Sequence, residues 1–420
     1  MKIRVCKLYS FIICLILLLD FNLWYLFKLP TWLFTMNSKS NKFLIVILIL
    51  LMYIDVLFTK QASIRAYRYQ IRYSMILVLT VVFLSVCTAF MYKAQGINST
   101  IRIANVYFVP LLVIPILYIY ENDRKLDSLV RMAEFATFLW YIVAIVQYNA
   151  YNFSGTVFLH DFFGSEGEVV LRNNTIRLTM FAFGNTAVIY NFYKLICGDR
   201  RRIWYASNLI LGIICVALIQ KTRMFYLADT IGVMVVLFFS GKAKNARLRN
   251  ITILVVAIFY LFASGMIEQF LSSIFVGNDV YKLNSTEVRA DAIGYYIARF
   301  LQNPLTGMGF VSESKYPTLV HGPLMDFYFS DVGFVGVLAQ TGIFSIVIYV
   351  MPLIRMINVS KLAIKSGCAE RYCFQIALTV YFLITSISIA ATVPGCAVGF
   401  AFAIAYTEIV KRQIHEMMSF

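Results

Sequence analysis

The chain has 420 residues, of which 60% are hydrophobic and only 14% charged, with a mean hydropathy of +0.76. Ordinary soluble domains carry roughly 25% charged residues, so the composition excludes that class and points to a polytopic membrane protein. The net charge of +16 is scattered over many short segments, and without one basic stripe interleaved with aromatics it argues against a nucleic-acid partner.

A run of about 17 to 25 apolar residues can cross a bilayer. In chain order, twelve stretches read as spans: 8–27, 43–58, 74–91, 101–120, 129–148, 176–196, 204–219, 224–240, 251–265, 332–353, 372–389 and 394–410. The sequence therefore predicts an all-α membrane protein, a single integral domain over 1–420 with about 12 transmembrane helices. The first run follows Lys2, Arg4 and Lys7 and precedes no small-residue cleavage site, so it reads as a retained anchor. Short cytoplasmic loops hold positive charge. Placing the N-terminus inside puts most of the 37 Lys and Arg residues there, which predicts that both termini are cytoplasmic. The eight cysteines include no CxxC pair and no disulfide framework.

That topology leaves two long outer connections, 150–175 and 266–331. Long loops are uncommon unless functional, so the chemistry is expected in them. The second is predicted to be a large extracytoplasmic loop with an amphipathic helix over 285–301. Asn284 with Glu287 three residues on is a helix-start signal, and Asn303-Pro304 stops the helix. At roughly 100° per residue, Ile293, Tyr296, Ile297 and Phe300 share one face, and Glu287, Asp291 and Tyr295 take the other. Arg289 falls near the middle of the apolar face, which predicts that it points inward at a partner; the alternative is snorkelling to lipid headgroups.

Further outer cations stand at the ends of other elements: Arg172, Arg177, Lys221 and Arg223. Ionisable groups near a membrane core are expensive and mark function by default. Arginine's planar fork suits phosphate, so these residues predict an anion site. Glu166 and Glu168, the acidic pair in an outer loop, read as loop-solvating residues, and no metal site is expected. Asp229 lies about 240° around its helix from Arg223 and is expected to make a polar contact with a neighbouring span. Asp55 reads as structural.

Three patterns carry a family resemblance. Arg223 begins a span within IQKTRMFYLADTIGVMVV. RADAIGYYIARFLQNPLTGMGF, from Arg289 to Phe310, is an arginine followed by a helix and then Asn-Pro-Leu-x-Gly-x-Gly. In PTLVHGPLMDFYFSDVGFVG, His321 precedes a glycine pair, Gly333 and Gly336. Together with the many spans and a large late outer loop, these patterns resemble the O-antigen polymerase and O-antigen ligase superfamily. Gly322 stands where that superfamily commonly has Asn, and Asp331 rather than Glu precedes the glycines.

The resemblance implies a GT-C-like bacterial inner-membrane glycosyltransferase. Its donor would be an undecaprenyl-diphosphate-linked oligosaccharide and its acceptor a glycan or glycolipid, as in O-antigen, lipopolysaccharide or capsule biosynthesis. Polymerase is favoured over ligase, no cofactor is required, and a chain-length regulator or other assembly proteins are implied partners. Arg223 and Arg289 would clamp the diphosphate, with Arg172, Arg177 and Lys221 as further contacts. His321 would position or deprotonate the acceptor hydroxyl, since imidazole titrates near neutral pH, with Asp326 or Asp331 orienting it. The rival reading is a glycolipid flippase or secondary transporter, although no internal repeat and no large central inner loop supports it.

Overall fold

The computed structural model describes residues 2–21, 38–123, 126–159, 171–172, 175–176, 178, 182–197, 200–220, 222–241, 250–251, 280–324, 326–393 and 395–419. Among these the fold is all-α, apart from the two-residue strands Leu171–Arg172 and Thr175–Ile176, which pair antiparallel. Apolar sequence in lipid becomes helix because every backbone polar group must be satisfied within its own segment.

The twelve-span, GT-C-like architecture is not what the structure shows. Among the described residues, five helices are long and apolar enough to cross a membrane: Ala62–Met91, Lys93–Asp123, Leu129–Ser154, Arg202–Gln220 and Ile346–Lys365. Several expected spans are shorter apolar helices, including Phe43–Thr59, Met224–Phe239, Gly333–Phe344 and Cys373–Thr385. Cys373–Thr385 has 13 residues, about 20 Å of helix at about 1.5 Å per residue, against a hydrocarbon core of roughly 30 Å. The run expected at 332–353 is broken by Gly342, whose φ of +58° ends the helix Gly333–Thr341. The run expected at 251–265 lies almost wholly outside the described residues.

The chain forms two compact units. The first comprises Met1–Val81, Ala104–Asp229 and Thr392–Phe420. Trp140, Tyr141 and Tyr118 are among its fully buried side chains. Asp55 accepts hydrogen bonds from Tyr9, Lys60 and Thr59, tying the first two described helices together. The buried Gln70 donates to Glu408 at 3.0 Å. Asp229 is buried, and among the described residues neither of its carboxyl oxygens has a hydrogen-bond partner.

The second unit comprises Val82–Ile103 and Thr230–Ala391. Its core gathers Ala292, Tyr296, Met308, Val311, Val320, Phe327, Val332 and Ala339. These residues come from the helix Val280–Gln302, from the segment that follows it, and from the last turn of Gly333–Thr341.

Candidate functional site: the His321 loop and its supports

The helix Val280–Gln302 starts before Asn284, so that residue lies inside it rather than capping it. Its core-facing side carries Ala292 and the fully buried Tyr296. The Tyr296 hydroxyl donates to the Val320 carbonyl at 2.8 Å, and burial pushes this phenol well above its ordinary range, so it acts as a donor. The Tyr295 hydroxyl donates to the Leu319 and Thr318 carbonyls at 3.0 and 3.2 Å. Terminal helix carbonyls lack intrahelical partners. The two tyrosines supply partners for the five-residue helix Pro317–His321 and so fix the residue that ends it.

Beyond His321 the chain reverses at Gly322, with φ +74°; a Cβ there would lie 2.3 Å from the Phe327 ring. The turn brings Phe327 back onto His321. Its N–H donates to the His321 carbonyl at 3.0 Å, and the His321 Nδ1 lies 2.8 Å from the Phe327 carbonyl. A carbonyl oxygen only accepts, so Nδ1 carries the hydrogen, and in the neutral ring Nε2 is left with its lone pair. The half-buried imidazole meets the Tyr328 ring edge-on at 4.9 Å. The group that orients it is therefore a backbone carbonyl. Asp326 and Asp331 are both exposed, and Asp331 accepts from Ser330 at 3.3 Å.

The glycine-rich segment before this loop has another role. The Gly307 N–H donates to Asn303, Met308 to Ala339, and Gly309 to Gln340, each at 2.8 Å. The Phe310 N–H donates to Thr88 Oγ1 at 3.0 Å. Four consecutive amides are thus engaged inside the protein, which excludes the phosphate cradle that a glycine-rich loop can form. The glycines serve close approach instead. A Cβ on Gly307 would lie 2.4 Å from the Ala339 carbonyl oxygen, and one on Gly309 would lie 2.3 Å from Thr88 Oγ1. The buried Gln95 adds a brace, donating to the Phe310 carbonyl at 2.7 Å and accepting from the Ser312 N–H at 2.8 Å. Gly333 and Gly336 pack in the same way, with Cβ positions 2.2 Å from Ser386 O and 2.4 Å from Phe329 O.

Arg289 is exposed and does not point into the core, contrary to its place on the helical wheel. Ile293 and Ile297 are exposed beside it, so the apolar residues of this helix divide into a core half and a surface half. Arg223 opens the helix Arg223–Phe239, and Arg172 pairs with Thr175 in the small hairpin. Arg177, Lys221, Glu166 and Glu168 lie outside the described residues. Arg299 has its guanidinium 4.9 Å from the centre of the Tyr295 ring and donates to Gln302 at 3.0 Å. Its spacing of four residues from Tyr295 was the available signal.

Residues 207–350 match the Wzy_C family model, described as O-antigen ligase. No curated protein matches the chain. The matched stretch covers less than half of the 420 residues but includes the helix Val280–Gln302, the braced glycine segment and His321. Over that stretch, and with its polytopic helical membrane fold, the chain is similar to O-antigen ligase-type membrane enzymes.

Proposed function

We propose that the protein is a membrane glycosyltransferase of the polymerase or ligase type, acting on a lipid-diphosphate-linked glycan, with His321 as its base or acceptor-positioning group. The observation that carries this reading is the fixed imidazole, whose Nδ1 is held by the Phe327 carbonyl and whose Nε2 remains an acceptor. An acceptor hydroxyl gives its proton to Nε2 as its oxygen attacks the anomeric carbon. The bond from that carbon to the diphosphate breaks, and the electron pair leaves with the diphosphate. Arg289, exposed on the neighbouring helix, supplies positive charge to the leaving anion, which is worth most where charge develops in the transition state.

Donor binding and turnover measured on the same purified His321→Ala protein test the proposal. Turnover should fall by about 10²- to 10⁴-fold, the range for a positioned acid or base, with donor binding nearly unchanged. Unchanged turnover removes His321 from the chemistry. For Arg289, both alanine and lysine variants should lose product, because lysine lacks the bidentate fork. Full activity in Arg289→Lys would show that a point charge is enough.

A further inference from the structure

The helix Val280–Gln302 has a second apolar surface that its core does not use. Ile293, Ile297 and Leu301 recur every fourth residue and are all exposed, Leu301 at 66%. On a helix this spacing makes one stripe. Glu287 and Asp291, also exposed, stand about 80° and about 120° beyond Ile297, the middle of the stripe, on the wheel. The helix thus presents three sectors in turn: a core face, an exposed apolar stripe and an acidic edge. Exposed apolar stripes on folded proteins mark contact surfaces.

The stripe runs toward two of the helices long and apolar enough to cross a membrane. Just past it, Leu305 is 59% exposed, and the neighbouring Pro304 carbonyl accepts a hydrogen bond from the Ile343 N–H at 2.9 Å. Two residues beyond Gly342, the Phe344 ring packs on Phe83 at 5.4 Å. Phe83 belongs to the span Ala62–Met91, and the span Ile346–Lys365 begins just after Phe344. Thr306 reaches the Met91 sulfur at 4.0 Å, at the end of the first of these spans. There the outward side chain, Phe90, is 74% exposed. The segment that follows the helix is therefore packed against two of the helices long enough to span a membrane.

We propose that Val280–Gln302 is a membrane-surface helix, with Ile293, Ile297 and Leu301 sunk into the headgroup and acyl boundary of the bilayer and Glu287 and Asp291 facing water. This is the arrangement of an interfacial amphipathic helix. Arg289, one turn before Ile293, then lies at the level of the lipid phosphates, where a basic side chain can keep its stem in the apolar layer and its head among anions. The inference is independent of the reaction and of which side of the membrane the helix occupies.

The test uses the intact protein in nanodiscs containing a phosphatidylcholine with a photoactivatable diazirine on its acyl chain, with adducts located by mass spectrometry. Phe90 serves as the internal standard. Adducts on Ile293, Ile297 and Leu301 at yields comparable to Phe90, with none on Glu287 or Asp291, are expected. An unlabelled stripe beside a labelled Phe90 overturns the proposal and leaves a protein partner or a second copy of the chain as its cover. Equal labelling of the stripe and the acidic residues also overturns it, since the helix would then have no oriented face.

Discussion

The segment Asn303–Phe310 and the loop His321–Phe327 both lie in the stretch that matches the O-antigen ligase family model, yet they are built differently. In the first, successive amides are engaged with neighbouring backbone and with Thr88, and the glycines admit other chains to within contact distance. In the second, the Phe327 carbonyl holds Nδ1 of the imidazole, and among the described residues nothing bonds its other nitrogen. A pattern of conspicuous residues can thus mark a brace or, on the proposed reading of His321, a reagent. Hydrogen-bond accounting separates the two.

The sharpest way to break this comparison is His321→Asn. The asparagine amide can stand in for Nδ1 as donor to Phe327, but nothing replaces Nε2. Turnover should fall by about 10²- to 10⁴-fold, while the melting temperature moves little. If His321→Asn stays active, the loop is a brace as well. Gly309→Ala should do the reverse. Its positive φ and the Thr88 contact combine backbone strain and overpacking of about 1 to 3 kcal/mol each, so thermal unfolding in detergent should show a clear loss of stability. Thr88→Val keeps the shape but strips the Phe310 N–H of its acceptor, at a cost of about 1 to 3 kcal/mol for a buried unsatisfied donor. Wild-type stability in that variant would mean that the brace does not depend on this bond. The smallest effect is expected from Tyr295→Phe, which removes the hydroxyl bonded to Thr318 and Leu319 for about 0.5 to 1.5 kcal/mol. It sharpens the comparison through the ratio of donor affinity to turnover, because loosening the short helix before His321 should lower turnover more than affinity.

The membrane character of the chain is legible in its composition, because hydropathy adds along the sequence. The number of spans is not, because hydropathy does not register the turn at Gly342 or the end of Cys373–Thr385. The helical period around residue 293 is likewise written in the sequence. Periodicity cannot tell a side chain buried in protein from one turned outward, however, so Tyr296 and Ile297 were placed on one face although the structure separates them. That error carried Arg289 inward with them. His321 was readable as a titratable group in a glycine-punctuated loop. Its orienting partner was not, since a backbone carbonyl leaves no mark in sequence whereas the nearby carboxylates Asp326 and Asp331 do. Arg223, Arg177, Arg172 and Lys221 remain assignments made from sequence.

The two bonds between His321 and Phe327 also bear on motion. The ring cannot turn over about its Cβ–Cγ bond without breaking the contact to the Phe327 carbonyl, so reorientation of the imidazole is tied to opening of the loop. On the proposed reading, a proton taken up at Nε2 therefore cannot be carried to the far side of the residue by a ring flip, and would leave from the same atom, to solvent or to the departing product, before the next acceptor arrives. Nitrogen NMR of labelled histidine should accordingly show one neutral tautomer for this residue, protonated at Nδ1, and its exchange rate should follow the opening of the loop rather than the faster turning of an unrestrained ring.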